Sequence, residues 1–316
     1  MKTFYNTLKI FAGIFLLASL AVSCVPEQES LGDAGQTIVK ITGPVDGFKL
    51  IAIDAVATSQ KANAFIVRKD AHSEAALNTT TSVVLKKDDG ILTWYNTENG
   101  TSFIPLPSAL CTPSLTTATD GTINLEFAAG EAAKAMVYTI PNATLFDFSK
   151  QYALGYRLVS VSGEGAISGG YPDTIVVQVL AKNKYDGLYL LKGKHNRDPY
   201  TFPYETEVEM RTTGASSVRF YWPDAGDYGH PIGVGPDNDL SWYGTAIGPV
   251  IVFDPVTNLV SDVYNAGGAT VITKFTGAGA NSNLYDPATK TIYVSWNYNN
   301  NPLRAFFDTL TYISPR

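Results

Sequence analysis

Residues 174–189 read TIVVQVLAKNKYDGLY. Four of the seven residues Thr174–Leu180 are Val or Ile, and only Gln178 and Thr174 are polar. A β-branched apolar run of this length reads as a buried strand, too short for a helix. It stops at Lys182-Asn183-Lys184-Tyr185-Asp186-Gly187, a polar break built from turn-forming residues. Apolar strand character resumes at once in Leu188-Tyr189-Leu190-Leu191. The stretch therefore reads as the last strand of one β unit, a boundary, and the first strand of another.

Upstream, Thr37–Ile41, Phe48–Ile53, Ala64–Val67, Thr81–Leu85, Ile123–Phe127, Ala135–Ile140 and Tyr156–Val161 have strand character. Turn signals such as Gly43-Pro44 separate them. With Thr174–Leu180 they make a set of about seven short strands, the pattern of an immunoglobulin-like β-sandwich. One interruption is helical. After Asp88-Asp89-Gly90, Ile91, Leu92 and Tyr95 fall on one stripe, and Asn99-Gly100 ends it. Trp94 in this helix is expected to be packed.

Downstream the runs lengthen: Leu188–Lys192, Glu205–Thr212, Ser217–Trp222, Pro249–Asp254, Leu259–Tyr264, Thr270–Phe275, Thr291–Trp296 and Leu303–Ile313. Asp254-Pro255-Val256-Thr257-Asn258 and Asp286-Pro287-Ala288-Thr289-Lys290 are paired hairpin-tip signals. This half reads as an antiparallel β-meander, either a small barrel or a second sandwich. The expected fold class is all-β, with a sandwich over residues 37–182 and the meander over 183–316.

The amino terminus is different. Lys2 and Lys9 precede Ile10–Val22 (IFAGIFLLASLAV), thirteen residues without charge. A run of this length fits a signal-peptide core; a membrane-spanning helix needs about 20 residues. Leu20-Ala21-Val22-Ser23-Cys24 resembles the bacterial lipobox, with Ala21 where Leu is usual. The resemblance implies cleavage after residue 23, acylation of Cys24, and membrane attachment through that lipid. Residues 24–36, rich in Glu, Asp, Gly and Pro, read as a flexible acidic tether.

Residues 1–23 hold two lysines and no acid, so the remainder carries 21 basic against 29 acidic side chains, a formal charge of −8. That balance argues against nucleic acid as a partner. Beyond Cys24 the chain has only Cys111, which excludes an intramolecular disulfide once Cys24 is acylated.

Catalytic motifs are absent: no HExxH, no GxSxG elbow, no P-loop. His72, His195 and His230 read as lone histidines on polar loops, and no catalytic or metal-ligating residue is assigned. Glu205, Glu207 and Glu209 alternate and share one strand face, which reads as a solvated edge. Asp224, Asp227, Asp237 and Asp239 fall in two loops, WPDAGDYG and GPDNDLSWYG, and leave a loop calcium site as an option. A glycoside hydrolase built on two such carboxylates is the least favoured alternative.

Aromatic residues crowd the second half. Tyr221-Trp222, Tyr228, Trp242-Tyr243, Trp296 and Tyr298 include three of the four tryptophans. Trp296 lies in a strand and reads as core. Trp222, Trp242, Tyr243 and Tyr228, with Asp224 and Asp239 beside them, read as a candidate carbohydrate shelf. An aromatic face packs on the apolar face of a sugar ring, and the acids accept from its hydroxyls.

Several stretches, in order, resemble a family of Bacteroides-type two-domain surface lipoproteins. They are Trp94-Tyr95-Asn96 with Asn99-Gly100-Thr101 and Leu106-Pro107, Leu125–Glu131, Tyr152-Ala153-Leu154, Lys182–Tyr189, and the carboxy-terminal Tyr285–Thr291 with Asn297-Tyr298 and Arg304–Tyr312. The resemblance implies an outer-membrane surface protein encoded with polysaccharide-utilisation machinery, a glycan ligand, and other glycan-uptake proteins as neighbours. A structural or adhesive protein that binds another protein is the alternative. Asp173-Thr174-Ile175 and Asp308-Thr309-Leu310 also match the short O-glycosylation pattern of these bacteria, at Thr174 and Thr309.

Overall fold

The computed structural model describes residues 35–163 and 165–316. The expected signal peptide, Cys24 and most of the tether lie outside the described residues. No helix among the described residues is long and apolar enough to cross a membrane.

The first half contains β1 (Thr37–Thr42), β2 (Phe48–Asp54), β3 (Gln60–Asp70), β4 (Thr81–Lys87), β5 (Phe103–Pro105), β6 (Thr112–Pro113), β7 (Thr122–Phe127), β8 (Ala133–Ile140), β9 (Gln151–Val161), β10 (Gly165–Ile167) and β11 (Thr174–Lys182). One sheet runs β10-β1-β3-β8-β6, and the facing sheet runs β2-β11-β9-β4-β7 with β5 beside β9. The β1-β3-β8-β6 and β11-β9-β4 strands thus form the two facing sheets of a β-sandwich. Strand β2 lies parallel to β11, from Phe48 opposite Val176 to Asp54 opposite Lys182. The period of two that marks β7 in the sequence is its burial pattern: Ile123, Leu125 and Phe127 point inward, while Asn124 and Glu126 face solvent. Phe65, Leu85, Phe127 and Tyr156 fill the space between the sheets. The hydroxyls of Tyr138 and Tyr156 hydrogen-bond within this core.

The second half contains β12 (Gly187–His195), β13 (Pro203–Gly214), β14 (Ser217–Trp222), β15 (Asp227–Tyr228), β16 (Pro231–Gly233), β17 (Leu240–Trp242), β18 (Pro249–Phe253), β19 (Val260–Asn265), β20 (Ile272–Lys274), β21 (Leu284–Asp286), β22 (Thr291–Tyr298) and β23 (Ala305–Ser314). Its main sheet runs β19-β18-β14-β13-β12-β23-β22-β20. The first and last strands of this half pair with each other, so the meander curls back on itself. The Val260 amide donates to the Asn283 carbonyl (2.8 Å) and the Tyr285 amide to the Asn258 carbonyl (2.9 Å), which nearly closes a barrel. Thr270–Phe275, expected as a strand throughout, pairs only over Ile272–Lys274.

Both DPxT stretches form hairpin tips. Asp254 Oδ1 accepts from the amides of Val256 (2.9 Å) and Thr257 (2.8 Å), and Asp286 Oδ1 accepts from the Ala288 amide (3.0 Å). Each carboxylate occupies amides that the turn would otherwise leave unpaired.

The Asn183–Gly187 turn between β11 and β12 is fully used. Asn183 Nδ2 donates to the carbonyls of Gly214 (2.9 Å) and Ser217 (2.8 Å). Lys184 Nζ donates to Asn258 Oδ1 at 2.6 Å. Tyr185 is buried and stacks on Phe253 at 3.9 Å. Asp186 accepts from the Thr212 amide and hydroxyl, each at 2.8 Å, and from Arg316. A side chain at Gly187 would collide with the Tyr312 ring. These residues hold the turn onto the barrel of the second half.

Candidate functional site

The aromatic shelf expected in the second half is not assembled. Trp222 ends β14 with only 6% of its surface exposed, and meets Trp242 edge-on at 6.2 Å. The loop composition around Trp222 had implied exposure. In the fold, the alternation of β14 turns the side chain into the barrel, where Trp242 packs on Gly229 and closes it off. Trp222 therefore cannot present a ring face to solvent. Tyr243 is half-buried, and its hydroxyl accepts from Arg197 at 3.0 Å. Tyr228 points elsewhere, into the groove between the two halves. Asp224 and Asp239 are exposed on separate loops. Among the described residues, no three His, Cys, Asp or Glu side chains converge as a metal ion would require.

Two histidines depart from the loop reading as well. His195 and His230 are buried in the barrel. Phe306 stacks against His195 at 4.1 Å and against Trp296 at 4.0 Å, because the three residues are neighbours across β12, β23 and β22. Asp308, with no exposed surface, accepts from Tyr204 Oη (2.6 Å) and Trp296 Nε1 (2.9 Å), and pairs with His230 Nε2 (3.1 Å). Neither ring nitrogen of His195 has a partner. Burial, and then the neighbouring His230, push the His195 pKa down to about 3. This polar cluster is a sealed part of the core, and no substrate reaches it. Thr309 lies between Asp308 and Leu310 but on the other face of β23: its neighbours point into the core, and Thr309 itself is half-buried. At the start of β11, Asp173 is exposed and Thr174 half-buried.

The exposed tryptophan is Trp94, in the first half, at 57% exposure. It stands on the helix Gly90–Asn99, which sequence reasoning expected to pack it. The helix starts where Asp88 Oδ1 accepts from the Gly90 amide (2.8 Å) and stops at Gly100, whose φ of 62° is left-handed. Ile91 and Leu92 are buried against Ala153, Val176 and Phe103. Gly155 on β9 permits this approach, since a Cβ there would lie 2.8 Å from that of Ile91. Tyr95 stacks on Phe48 at 5.6 Å and on Phe103 at 5.8 Å. Asn96 ties the following loop down through Phe103 and Thr101. Trp94 is left on the flank of the buried stripe, about 100° around the helix from its centre. That offset is the sequence signal that could have found it.

Trp94 overlooks a cleft of 480 Å³ lined also by Tyr95, Asp46, Arg157, Asp173 and Thr174. Asp46 comes from the β1–β2 turn, where Gly47 adopts a φ of 70° and sits too close to the Thr174 carbonyl for any side chain. Arg157 on β9 lies directly opposite Thr174 on β11. The Thr174 hydroxyl donates to Asp173 Oδ1 at 2.8 Å. Burial, reinforced by Asp46, raises the pKa of Tyr95. The cleft thus offers one large exposed ring face, two carboxylates as acceptors, and a guanidinium as donor. The combination of ring face and acids expected in the second half is therefore found in the first.

Comparison with known proteins places the fold. A family model described as a "-like, N-terminal domain" matches residues 50–165, less than half of the chain. No curated protein matches. Among solved structures, a Bacteroides ovatus protein of unknown function aligns with a TM-score of 0.54 and 11% identity, covering 88% of this chain and 95% of its own. A second protein of unknown function from B. ovatus aligns at 0.46 and 14% identity over 86% of this chain and 89% of its own. An auxiliary nutrient binding protein from Bacteroides thetaiotaomicron aligns at 0.42 and 13% identity over 84% of this chain and 90% of its own. The first of these shows that this all-β, two-unit fold is shared with a Bacteroides protein; at 11% identity it shows the fold alone.

Proposed function

We propose that the chain is a non-catalytic carbohydrate-binding protein, held at the outer membrane by a lipid on Cys24 and facing the cell exterior. The observation that carries the binding role is the exposed Trp94 face above a cleft with Asp46, Asp173 and Arg157. Sugar recognition uses this pairing of an apolar ring with convergent polar groups, and the cleft lies within the size range of small-ligand sites. The lipobox-like Leu20–Cys24 stretch supports the anchor, and the acidic segment after it serves as the tether.

The test is glycan-array binding by the full chain in detergent, followed by titration calorimetry on each hit, with Trp94→Ala alongside. The expected result is a saccharide whose affinity drops at least tenfold in the variant. An array that stays blank with folded protein, or a hit that Trp94→Ala binds unchanged, defeats the assignment. The anchor is tested separately: cells fed an alkyne-tagged fatty acid should label the wild-type chain and leave Cys24→Ser unlabelled.

A further inference from the structure

Between the two halves lies a groove of 590 Å³. Phe103, Phe148 and Leu180 provide apolar surface on the side of the first half. The basic side chains Lys150, Arg211, Arg219 and Arg316 also line it, and no Asp or Glu does. In a chain with a formal charge of −6 this is a local inversion of sign.

The cations are not equivalent. Arg316 is held by Asp186 through two contacts at 2.9 and 3.0 Å. Arg211 pairs with Glu209 at 2.7 Å, and its guanidinium lies 3.3 Å from the centre of the Tyr221 ring. Arg219 also lies over a ring but, among the described residues, has no carboxylate partner. Its Nε is buried without a hydrogen-bond partner, and none of the ion pairs among the described residues includes it. Its guanidinium sits 4.5 Å from the Tyr228 ring centre and packs on Gly248, where a Cβ would lie 2.7 Å from Nη2. Burial, the first of its influences, lowers its pKa from the usual value, against nearby Tyr228, Asp227 and Tyr264. Arginine stays protonated in proteins, so the half-buried guanidinium keeps its charge. Arg219 is half-buried, and the buried part, Nε, has no hydrogen-bond acceptor among the described residues. The planar fork of donors matches an oxyanion, and stacking on an aromatic ring fixes its plane.

We propose that the inter-domain groove is an oxyanion site, in which Arg219, oriented by Tyr228 and supported by Arg211, receives the carboxylate or sulfate group of an acidic saccharide. The site is separate from the Trp94 cleft. Its apolar wall takes the body of the ligand while the guanidinium takes the charge.

The experiment is titration calorimetry of the full chain in detergent with galacturonate oligomers, a 6-sulfated galactose oligomer, and the neutral galactose oligomer, on wild type, Arg219→Gln and Trp94→Ala. At least one anionic ligand should bind, more weakly as salt is raised. The neutral ligand should not bind at this site. Arg219→Gln should lose at least tenfold in affinity, while Trp94→Ala retains it. Which anion binds identifies carboxylate or sulfate as the source. Thermal melts supply the second readout. Ligand-free Arg219→Gln should melt close to wild type, since it removes a half-buried charge together with one ring contact, and only wild type should gain stability from the anion. Absence of binding by both anions overturns the proposal. So does an Arg219→Gln variant that still binds, or one that melts lower while keeping its anion-induced shift, since Arg219 would then be a packing residue. Failure of the Trp94 assignment alone leaves these outcomes unchanged.

Discussion

Trp94 and Trp222 stand in equally polar, turn-rich sequence, yet one is 57% exposed and the other 6%. Trp94 rides on a ten-residue helix whose buried stripe is already supplied by Ile91, Leu92 and Tyr95. The sheet beneath needs nothing more from that helix, so the indole remains outside. Trp222 closes a strand whose alternation points it inward, and Trp242 covers it. Aromatic content near loops therefore does not locate a binding surface. What matters is whether the element that carries the ring has already met its packing requirement. Trp94 is surplus to its core, and Trp222 completes one.

This contrast makes sharp mutational predictions. The largest effect belongs to the sealed cluster. Asp308→Ala leaves Tyr204, Trp296 and His230 without their shared acceptor, and should cost about 3–5 kcal/mol in urea denaturation of the second half. Trp222→Ala should cost about 3 kcal/mol through the cavity it leaves, with glycan binding unchanged in the molecules that fold. If Trp222→Ala were stable but failed to bind, the roles assigned to the two tryptophans would be reversed. At the other extreme, Trp94→Ala should shift unfolding by no more than about 0.5 kcal/mol, because it removes surface from solvent and little from the core.

Acid sharpens the comparison between the halves. His195 has its pKa pushed down to about 3 from an ordinary 6.5. Between those limits the unfolded chain takes up a proton that the folded chain refuses. The unfolded state then binds more protons, so stability is full above pH 6.5 and declines as the pH falls toward 3. The decline should reach at most about 1.4 kcal/mol per pH unit from this group. Denaturation midpoints of the second half across this range, with His195→Phe for comparison, measure it. The variant should show a flatter dependence, and an equal slope in both proteins would remove His195 as its source.

A good deal of this protein was legible from residues alone. The all-β class followed from alternation and β-branched runs, as Ile123–Phe127 and Thr174–Leu180 illustrate. The two Asp-Pro hairpin tips and the limits of the helix at Asp88 and Gly100 also followed, because each depends on local hydrogen bonding that a few residues specify. The same locality explains the misses. β9 begins at Gln151, ahead of the predicted Tyr156, because its early residues pair with β11 and β5, which are distant in sequence. His195 and His230 look like loop histidines until β12, β22 and β23 are laid side by side.

Strand periods, turn chemistry and the sign of the net charge are written along the chain, since each depends on the composition of a short stretch or of the whole. Which aromatic rings face water, and which cations lack a carboxylate partner, depends on how distant strands come together. Trp94 gathers Asp46, Arg157 and Asp173 from three separate strands or turns, and Arg219 meets the first half only across a groove that neither half makes alone. Exposure and charge pairing are set by what folds against a residue, and for both sites that is sequence far from the residue itself.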